Sequence, residues 1–397
     1  MNKMKTLLPI WLTFVAFALA GPLSAADVET KKEFTVDSQV LEVDNLAGSI
    51  KLLAATGDKF EIQATVKADK SAGLAASEVA DLIGFYSVKK GGKHHFQVLY
   101  PVDDYRKYTY KDGARRGNNW ARTRYQKKRV SVNSKSRNDA LKVHVDLVIR
   151  VPAGSRLQVK NRFGPIKGNG VHADLDLDTS SGAISIEKSR GSLRADTGSG
   201  RVSVTGYAGD IHADTGSGSV TITDVEGNVN ADTGSGSVTV TDVEGNVNAD
   251  TGSGSVELSN VQAEEILVDT GSGRVILNKV TGSLKVDTGS GGVSAKNITA
   301  GKIVDIDTGS GSIIVEGDLG AVRSLRLDTG SGRVRVKTDH SLNMVLRIET
   351  GSGGIHVDLP NLSGVRSRDN RFEARIGQGD GQGIIDTGSG SVSVSMK

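Results

Sequence analysis

Residues 232–249 read DTGSGSVTVTDVEGNVNA, and the eighteen residues before them, 214–231, differ at one position only. The pentad Asp-Thr-Gly-Ser-Gly occurs nine times, and variants of it begin at Asp178 and Glu349. Most of the starts are separated by 18 to 21 residues. Self-similarity at a short fixed period is the signature of a stacked repeat protein. The C-terminal half of the chain is therefore a tandem array.

Each repeat contains two short apolar stretches with turn residues between them. Val238 and Val240 are two residues apart, as are Val247 and Ala249, and two is the period of a strand with one buried face. The Gly-Ser-Gly run and the Asp-Val-Glu-Gly stretch have the composition of turns. We therefore predict an all-β fold, a parallel β-solenoid (β-helix) of about 18-residue coils, over residues 161–397. Six residues should stack inward in columns: Val220, Ile222, Val238, Val240, Val256 and Leu258.

The first 26 residues have the pattern of a secretory signal peptide. Lys3 and Lys5 precede the apolar run Leu7–Ala20, and small residues at Ser24–Ala26 provide a cleavage site. We expect an exported protein, located in the periplasm or at the cell surface.

Between the signal peptide and the array, residues 27–160 are predicted to form an N-terminal β-rich capping region. Strand-like runs occur at Phe60–Val66, Phe96–Tyr100 and Leu141–Val151, and Leu74–Ile83 is a short helix candidate. Such a region would cover one open end of the stack, because an uncovered end exposes unpaired backbone groups. Residues 360–383, inserted in the long last repeat, are expected to protect the other end.

The sequence excludes several kinds of chemistry. The chain of 397 residues has no cysteine, so disulfides, thiolate metal sites and a cysteine nucleophile are absent. Asp-Thr-Gly-Ser also occurs in pepsin-like aspartic proteases, but those enzymes pair two such turns, whereas here the neighbouring copies are equivalent. We therefore expect no enzyme activity and no cofactor. A β-helix enzyme acting on polysaccharides is the alternative, because such enzymes carry acidic clusters in a side groove.

The aspartates of the pentads are predicted to have a structural role. An Asp before a tight turn accepts hydrogen bonds from the amides that follow it, and glycine supplies the positive φ angles. The alternative is a cation-binding structural solenoid, with ions on the Asp columns. The residues concerned are Asp196, Asp214, Asp232, Asp250, Asp269, Asp287, Asp307 and Asp328.

A basic, tyrosine-rich insertion at residues 101–138 stands apart from the array. It carries 12 Lys or Arg against three Asp, a local charge of +9, while the whole chain has a formal charge of +3. Clustered cations beside aromatic rings are typical of a contact with a polyanion or an anionic membrane surface. A solvated loop, or a loop docked on the chain's own Asp columns, are the alternatives. The candidate residues are Arg115, Arg116, Trp120, Arg122, Arg124, Lys127, Lys128 and Arg129.

The repeats resemble the bacterial "putative adhesin" family of exported β-repeat proteins of unknown function. The resemblance rests on residues 41–50 (LEVDNLAGSI), on residues 148–152 (VIRVP) and on the Asp-Thr-Gly-Ser-Gly-x-Val units. It extends from about Phe34 to Met396, except for the basic insertion. It implies a non-enzymatic binding or scaffolding role in the cell envelope and supplies no catalytic residues.

Overall fold

The computed structural model describes residues 27–111, 121–135 and 139–397. The predicted signal peptide therefore lies outside the described residues. Within these ranges the chain is all-β apart from one short helix. The first elements are β1 (Asp27–Val36), β2 (Val40–Ala47), β3 (Ile50–Ala54), β4 (Phe60–Asp69), α1 (Ala76–Asp81), β5 (Gly84–Lys90), β6 (Lys93–Leu99), β7 (Lys107–Thr109), β8 (Ala121–Tyr125), β9 (Lys128–Asn133) and β10 (Val143–Val151).

The repeats supply the remaining strands. They are β11 (Arg156–Phe163), β12 (Ile166–Asn169), β13 (Asp174–Ser181), β14 (Ile184–Arg190), β15 (Leu193–Thr197), β16 (Val202–Ala208), β17 (Ile211–Thr215), β18 (Val220–Glu226), β19 (Val229–Thr233), β20 (Val238–Glu244), β21 (Val247–Thr251), β22 (Val256–Thr270), β23 (Val275–Thr288), β24 (Val293–Thr308), β25 (Ile313–Asp318), β26 (Ser324–Thr329), β27 (Val334–Thr338), β28 (Met344–Thr350), β29 (Ile355–Asp358), β30 (Leu362–Arg368), β31 (Arg371–Ile376), β32 (Gly381–Thr387) and β33 (Val392–Met396).

Each repeat contributes one strand to each of two parallel ladders. In the first ladder, β17 pairs in register with β15 and β19, so that each residue lies beside the one 18 positions away. In the second ladder, β18 pairs in the same way with β16 and β20. The long strands β22, β23 and β24 run through both ladders. The result is a β-solenoid-like stack, as the 18-residue period predicts.

The apolar core is a set of inward columns. Val220, Val238 and Val256 lie side by side in the second ladder, and all three are fully buried. Ile222, Val240 and Leu258 form the next column and are also fully buried. The predicted inward stacking of these six residues is confirmed.

A column of buried threonines runs along the first ladder. The hydroxyl of Thr233 donates to the carbonyl of Gly218 in the previous repeat at 2.7 Å. It also accepts the amide of Gly236 in its own turn at 3.0 Å. The same pair of contacts recurs at Thr197, Thr215, Thr251, Thr270, Thr288, Thr308, Thr329 and Thr387. Each of these hydroxyls thus joins its repeat to the neighbouring repeat in the stack; for Thr387 this is the repeat that contains Gly332.

The turns stack so closely that only glycine fits. A Cβ placed on Gly236 would lie 1.7 Å from the carbonyl oxygen of Gly218, which is a position that no side-chain atom can occupy. The glycine of this position is therefore required by the approach of neighbouring backbones.

The stack begins before the predicted boundary at residue 161. Strands β2 and β3 form its first rung, in register with β11 and β12 of the second rung. Asn45 and Asn161 take the place of threonine there, and the Asn161 amide donates to the carbonyls of Gly48 and Gly164.

The chain between these two rungs, together with β1 before them, lies at the N-terminal end of the stack. Strand β6 adds to β2 and is followed by β5, while β10, β4 and β1 extend the other ladder from β3. The predicted short helix is present as α1. The role of residues 27–160 as a cap stays a prediction.

At the C-terminal end, spatial order departs from sequence order. Strand β32 pairs with β26 on one side and with β28 on the other, and β33 lies likewise between β27 and β29. The last repeat of the sequence is therefore the second-to-last rung in space. The inserted residues form the hairpin β30–β31, and β31 pairs with the outer edge of β28. This hairpin protects the end of the first ladder.

The threonine column generates a prediction about stability. Thr233→Val keeps the shape of the side chain but leaves the Gly218 carbonyl and the Gly236 amide without their partner. Each buried unsatisfied group costs about 1–3 kcal/mol, so the free energy of unfolding should fall by about 2–4 kcal/mol. Urea unfolding followed by circular dichroism measures this change.

The matched control is Thr239→Val, a half-buried, outward-facing threonine of the next strand, β20. Its effect should stay within about 0.5 kcal/mol. Equal losses in the two variants would contradict a special role for the buried column.

Candidate binding surfaces

The described part of the basic insertion forms a small sheet of its own. Strands β8 and β9 make an antiparallel hairpin, and β7 pairs with β9 in parallel. The hairpin turn consists of Gln126 and Lys127, both with positive φ angles, as two-residue hairpin turns require. This geometry, with strands that alternate in exposure, gives the sheet one buried and one exposed side.

The buried side is made of tyrosines and valines. The Tyr125 hydroxyl lies within hydrogen-bond distance of the carbonyls of Val98 (2.6 Å) and Asp44 (2.9 Å), which share its one proton. This contact anchors the small sheet on the first rung. Tyr108 and Tyr125 each pack edge-on against Tyr100, with ring centroids 5.5 and 5.8 Å apart. Burial raises the pKa of Tyr125 and of Tyr100 well above the ordinary value. These rings are core, so the prediction that the tyrosines interleave with the cations on a binding surface is wrong for Tyr108 and Tyr125.

The exposed side carries three arginines, which we call the basic face: Arg122, Arg124 and Arg129. Arg124 lies directly opposite Arg129 across the hairpin, and Arg122 is two residues along the same strand. All three are exposed, and none forms an ion pair with any residue that the structure describes. Like charges that face each other across strands destabilise a sheet, so this cluster favours an external counter-charge.

The other predicted cations have different positions. Lys127 is exposed in the hairpin turn, beside the basic face in the sequence. Lys128 pairs with Asp103 at 2.8 Å, which lowers the pKa of that carboxyl. Arg115, Arg116 and Trp120 lie outside the described residues.

The pentad aspartates line the outer side of the first ladder. They follow one another in register from Asp178 through Asp328, one residue per rung. In the described part of the chain, none of the eight predicted turn aspartates accepts an amide of its own turn. The turn contact predicted for the aspartates is made by the threonine that follows each of them, because that side chain points inward and the carboxylate points to solvent.

The stacked carboxylates raise one another's affinity for protons. The pKa values of Asp232 and Asp250 lie above the ordinary value, through partial burial first and through the neighbouring aspartates second. Near the C-terminal end of the column, the Arg326 guanidinium contacts Asp307 at 3.5 Å and Asp328 at 3.3 Å.

Among the described residues, no group of three or more possible ligands is placed to hold a metal ion. No described helix is long and apolar enough to cross a bilayer.

Comparisons with known proteins show a family model and a solved structure to which this chain is similar. The family model described as Toastrack DUF4097 matches residues 205–395. The structure is that of a "putative cell adhesion protein" from Clostridium sporogenes ATCC 15579, at 9% identity and a TM-score of 0.21, with 93% of this chain and 100% of that chain covered. No curated protein matches the chain.

The aspartate column predicts an unusual dependence of stability on pH. The pKa values of Asp232 and Asp250 are higher in the folded protein than in the unfolded chain, so ionisation of these two groups destabilises the fold. This destabilisation is complete at pH values above the folded pKa values and disappears as the pH falls toward 3.8. Asp232→Asn/Asp250→Asn should therefore be more stable than the wild type at pH 7, by less than about 1 kcal/mol because the groups are partly exposed. The difference should shrink to zero near pH 3.8.

Thermal unfolding of the two proteins at a series of pH values measures this difference. Asp58→Asn/Asp369→Asn removes two exposed carboxylates outside the column and serves as the control. A double variant less stable than the wild type at pH 7 would restore a structural role for the carboxylates.

Proposed function

We propose that this protein is an exported, non-enzymatic scaffold of the bacterial cell envelope that binds an anionic polymer through its basic face. The observation that carries the proposal is the exposure of Arg122, Arg124 and Arg129 on one side of a sheet, without an acidic partner in the described chain. Guanidinium groups bind phosphate, sulfate and carboxylate groups through paired hydrogen bonds. Such a face suits a polymer that presents these groups repeatedly.

The packing of the small sheet supports an external partner over an internal one. Its apolar side faces the first rung, so the arginine side faces away from the stack. The acidic partners of the described cations in this sheet are local: Lys128 pairs with Asp103, and Lys107 pairs with Asp139 at 2.7 Å. The aspartate column offers no contact to these cations. An anionic lipid surface also presents phosphate groups, so peripheral contact with such a surface is the alternative to a polymer.

The scaffold part of the proposal includes its family and its detailed fold. We infer that the chain belongs with the Toastrack DUF4097 proteins. The support is the match of that family model to residues 205–395, slightly less than half of the chain. We also infer that the two ladders are the faces of a continuous parallel β-helix with coils of about 18 residues, which the register at that offset supports. The threonine hydroxyls, the most regular polar groups, are buried and saturated by backbone contacts, which supports a non-enzymatic role.

Heparin affinity chromatography tests the basic face. The wild type should be retained at low salt and released as ionic strength rises, because exposed charges are screened beyond about 10 Å at 0.1 M salt. Arg122→Gln/Arg124→Gln/Arg129→Gln should lose this retention with an unchanged melting temperature, since all three side chains are exposed. Sedimentation with vesicles of phosphatidylglycerol and phosphatidylcholine separates a lipid partner from a polymer.

Arg274→Gln/Lys285→Gln/Lys296→Gln is the matched control, with the same change in net charge at three exposed positions on the stack. It should be retained like the wild type. A wild type that passes through heparin and ignores the vesicles at low salt would end the proposal.

Export is tested by fractionation of the native host and intact-mass measurement. We expect a periplasmic or surface protein that has lost residues 1–26 and begins at Asp27. A cytoplasmic protein of full-length mass would contradict this expectation.

A further inference from the structure

An open groove of about 480 Å³ runs along the outer side of the first ladder. It crosses strands β13, β15, β17, β19 and β21, with Arg156 of β11 at its N-terminal end, and no residue of the basic face lines it. Two columns of polar side chains form its walls. The flanking column is Asp174, Ser192, Asp210, Asn228 and Asn246, and the facing column is Asp176, Arg194, His212, Asn230 and Asn248.

The flanking column has a structural role. The Asn228 side-chain oxygen accepts the backbone amide of Asn246 at 3.0 Å, and Asp210 accepts the amide of Asn228 at 2.9 Å. Asp174 does the same for the amide of Ser192. These side chains join one repeat to the next, so their carboxylate and amide groups hold the groove in shape.

Four members of the facing column lack such contacts, whereas Asp176 accepts the side-chain amide of Gln158 at 2.8 Å. In the described chain, His212, Asn230 and Asn248 have no hydrogen-bond partner, and Arg194 has only a distant contact of 3.9 Å with Asp196. Each of these side chains is partly or fully exposed and can donate hydrogen bonds, and the two asparagines can also accept them. Four successive rungs, about 4.8 Å apart, therefore present unused polar groups in one line.

The groove ends where the residues of the facing column are no longer asparagine, histidine or arginine. In the next two rungs its positions are taken by Leu267 and Lys285, and neither lines the groove. The polar residues that line the groove in the rungs of β19 and β21 are all asparagines: Asn228, Asn230, Asn246 and Asn248. The free polar groups are thus confined to a stretch of defined length.

We propose that this groove binds a neutral oligosaccharide that lies along the stack. Sugar hydroxyls donate and accept hydrogen bonds, as do the free asparagine amides, and a rung spacing of about 4.8 Å is close to the length of one pyranose ring in an extended chain. The proposal does not rest on the basic face, since the two surfaces share no residue.

Other classes of ligand fit the groove less well. The lining carries three carboxylates, Asp174, Asp176 and Asp210, against two guanidinium groups, Arg156 and Arg194. A polyanion would also meet the aspartate column two residues further along each strand. A peptide strand needs an unpaired sheet edge, whereas the strands beneath the groove are paired on both sides. A neutral sugar chain is not repelled by the carboxylates and does not need an unpaired strand edge.

Saturation-transfer difference NMR with cello-, malto- and chitohexaose tests the proposal. At least one of these should bind the full-length mature protein with a dissociation constant of about 1 mM or tighter. Asn230→Ala/Asn248→Ala should weaken that binding at least about tenfold, with an unchanged melting temperature, because both side chains lack partners in the fold.

The control is Thr221→Ala/Thr239→Ala, which removes two outward-facing polar side chains from adjacent strands of the second ladder. It should bind like the wild type. The proposal is overturned if none of the three hexasaccharides binds, if both double variants lose binding equally, or if an oligogalacturonate binds the groove in preference to them.

Discussion

The fold depends on a buried hydroxyl that joins most rungs of the stack to the rung before them. Thr233 uses its donor on the Gly218 carbonyl and an acceptor site on the Gly236 amide, so its polar group is satisfied although it is fully buried. The hydroxyl can make both contacts only if the two turns lie almost in van der Waals contact. That approach in turn excludes any side chain at the glycine. Threonine and glycine in the pentad are therefore two parts of one constraint.

Because the threonine makes the contacts of the turn, the aspartate of the pentad is not needed to form it. Its side chain lies on the outer side of the strand, and the identical rungs place a like charge on every neighbour. Partial burial and the adjacent carboxylates raise the pKa of Asp232 and Asp250, which marks the column as costly at neutral pH. Acidic charge along the stack and exposed arginines on the small sheet at its N-terminal end give the molecule two electrostatically different surfaces.

The sequence predicts the repeats well, because their period and alternation are local properties. The inward columns of Val238 and Val240, the capping region and the short helix all follow from spacing and composition. The aspartate was assigned the contact that Thr233 makes, because both residues favour turns and only side-chain direction separates them. The alternation of Tyr125 and Val130 with Arg124 and Arg129 does indicate one buried side of the small sheet. The high positive charge of the segment instead favours an interpretation in which the whole segment is exposed. The position of β32 between β26 and β28 depends on long-range pairing, which no local pattern encodes.

A fold held by inward threonines, glycines and valines leaves its outward positions free to vary. At the facing column, the successive residues are Arg194, His212, Asn230, Asn248 and Leu267, while the threonine column beneath them is constant. A change at such a position removes no contact that joins the rungs, so its effect on stability is small. Each rung can therefore acquire a different polar group at a fixed spacing from its neighbours. Recognition of a long polymer is the kind of function that such a surface serves best, because the polymer also repeats along one direction.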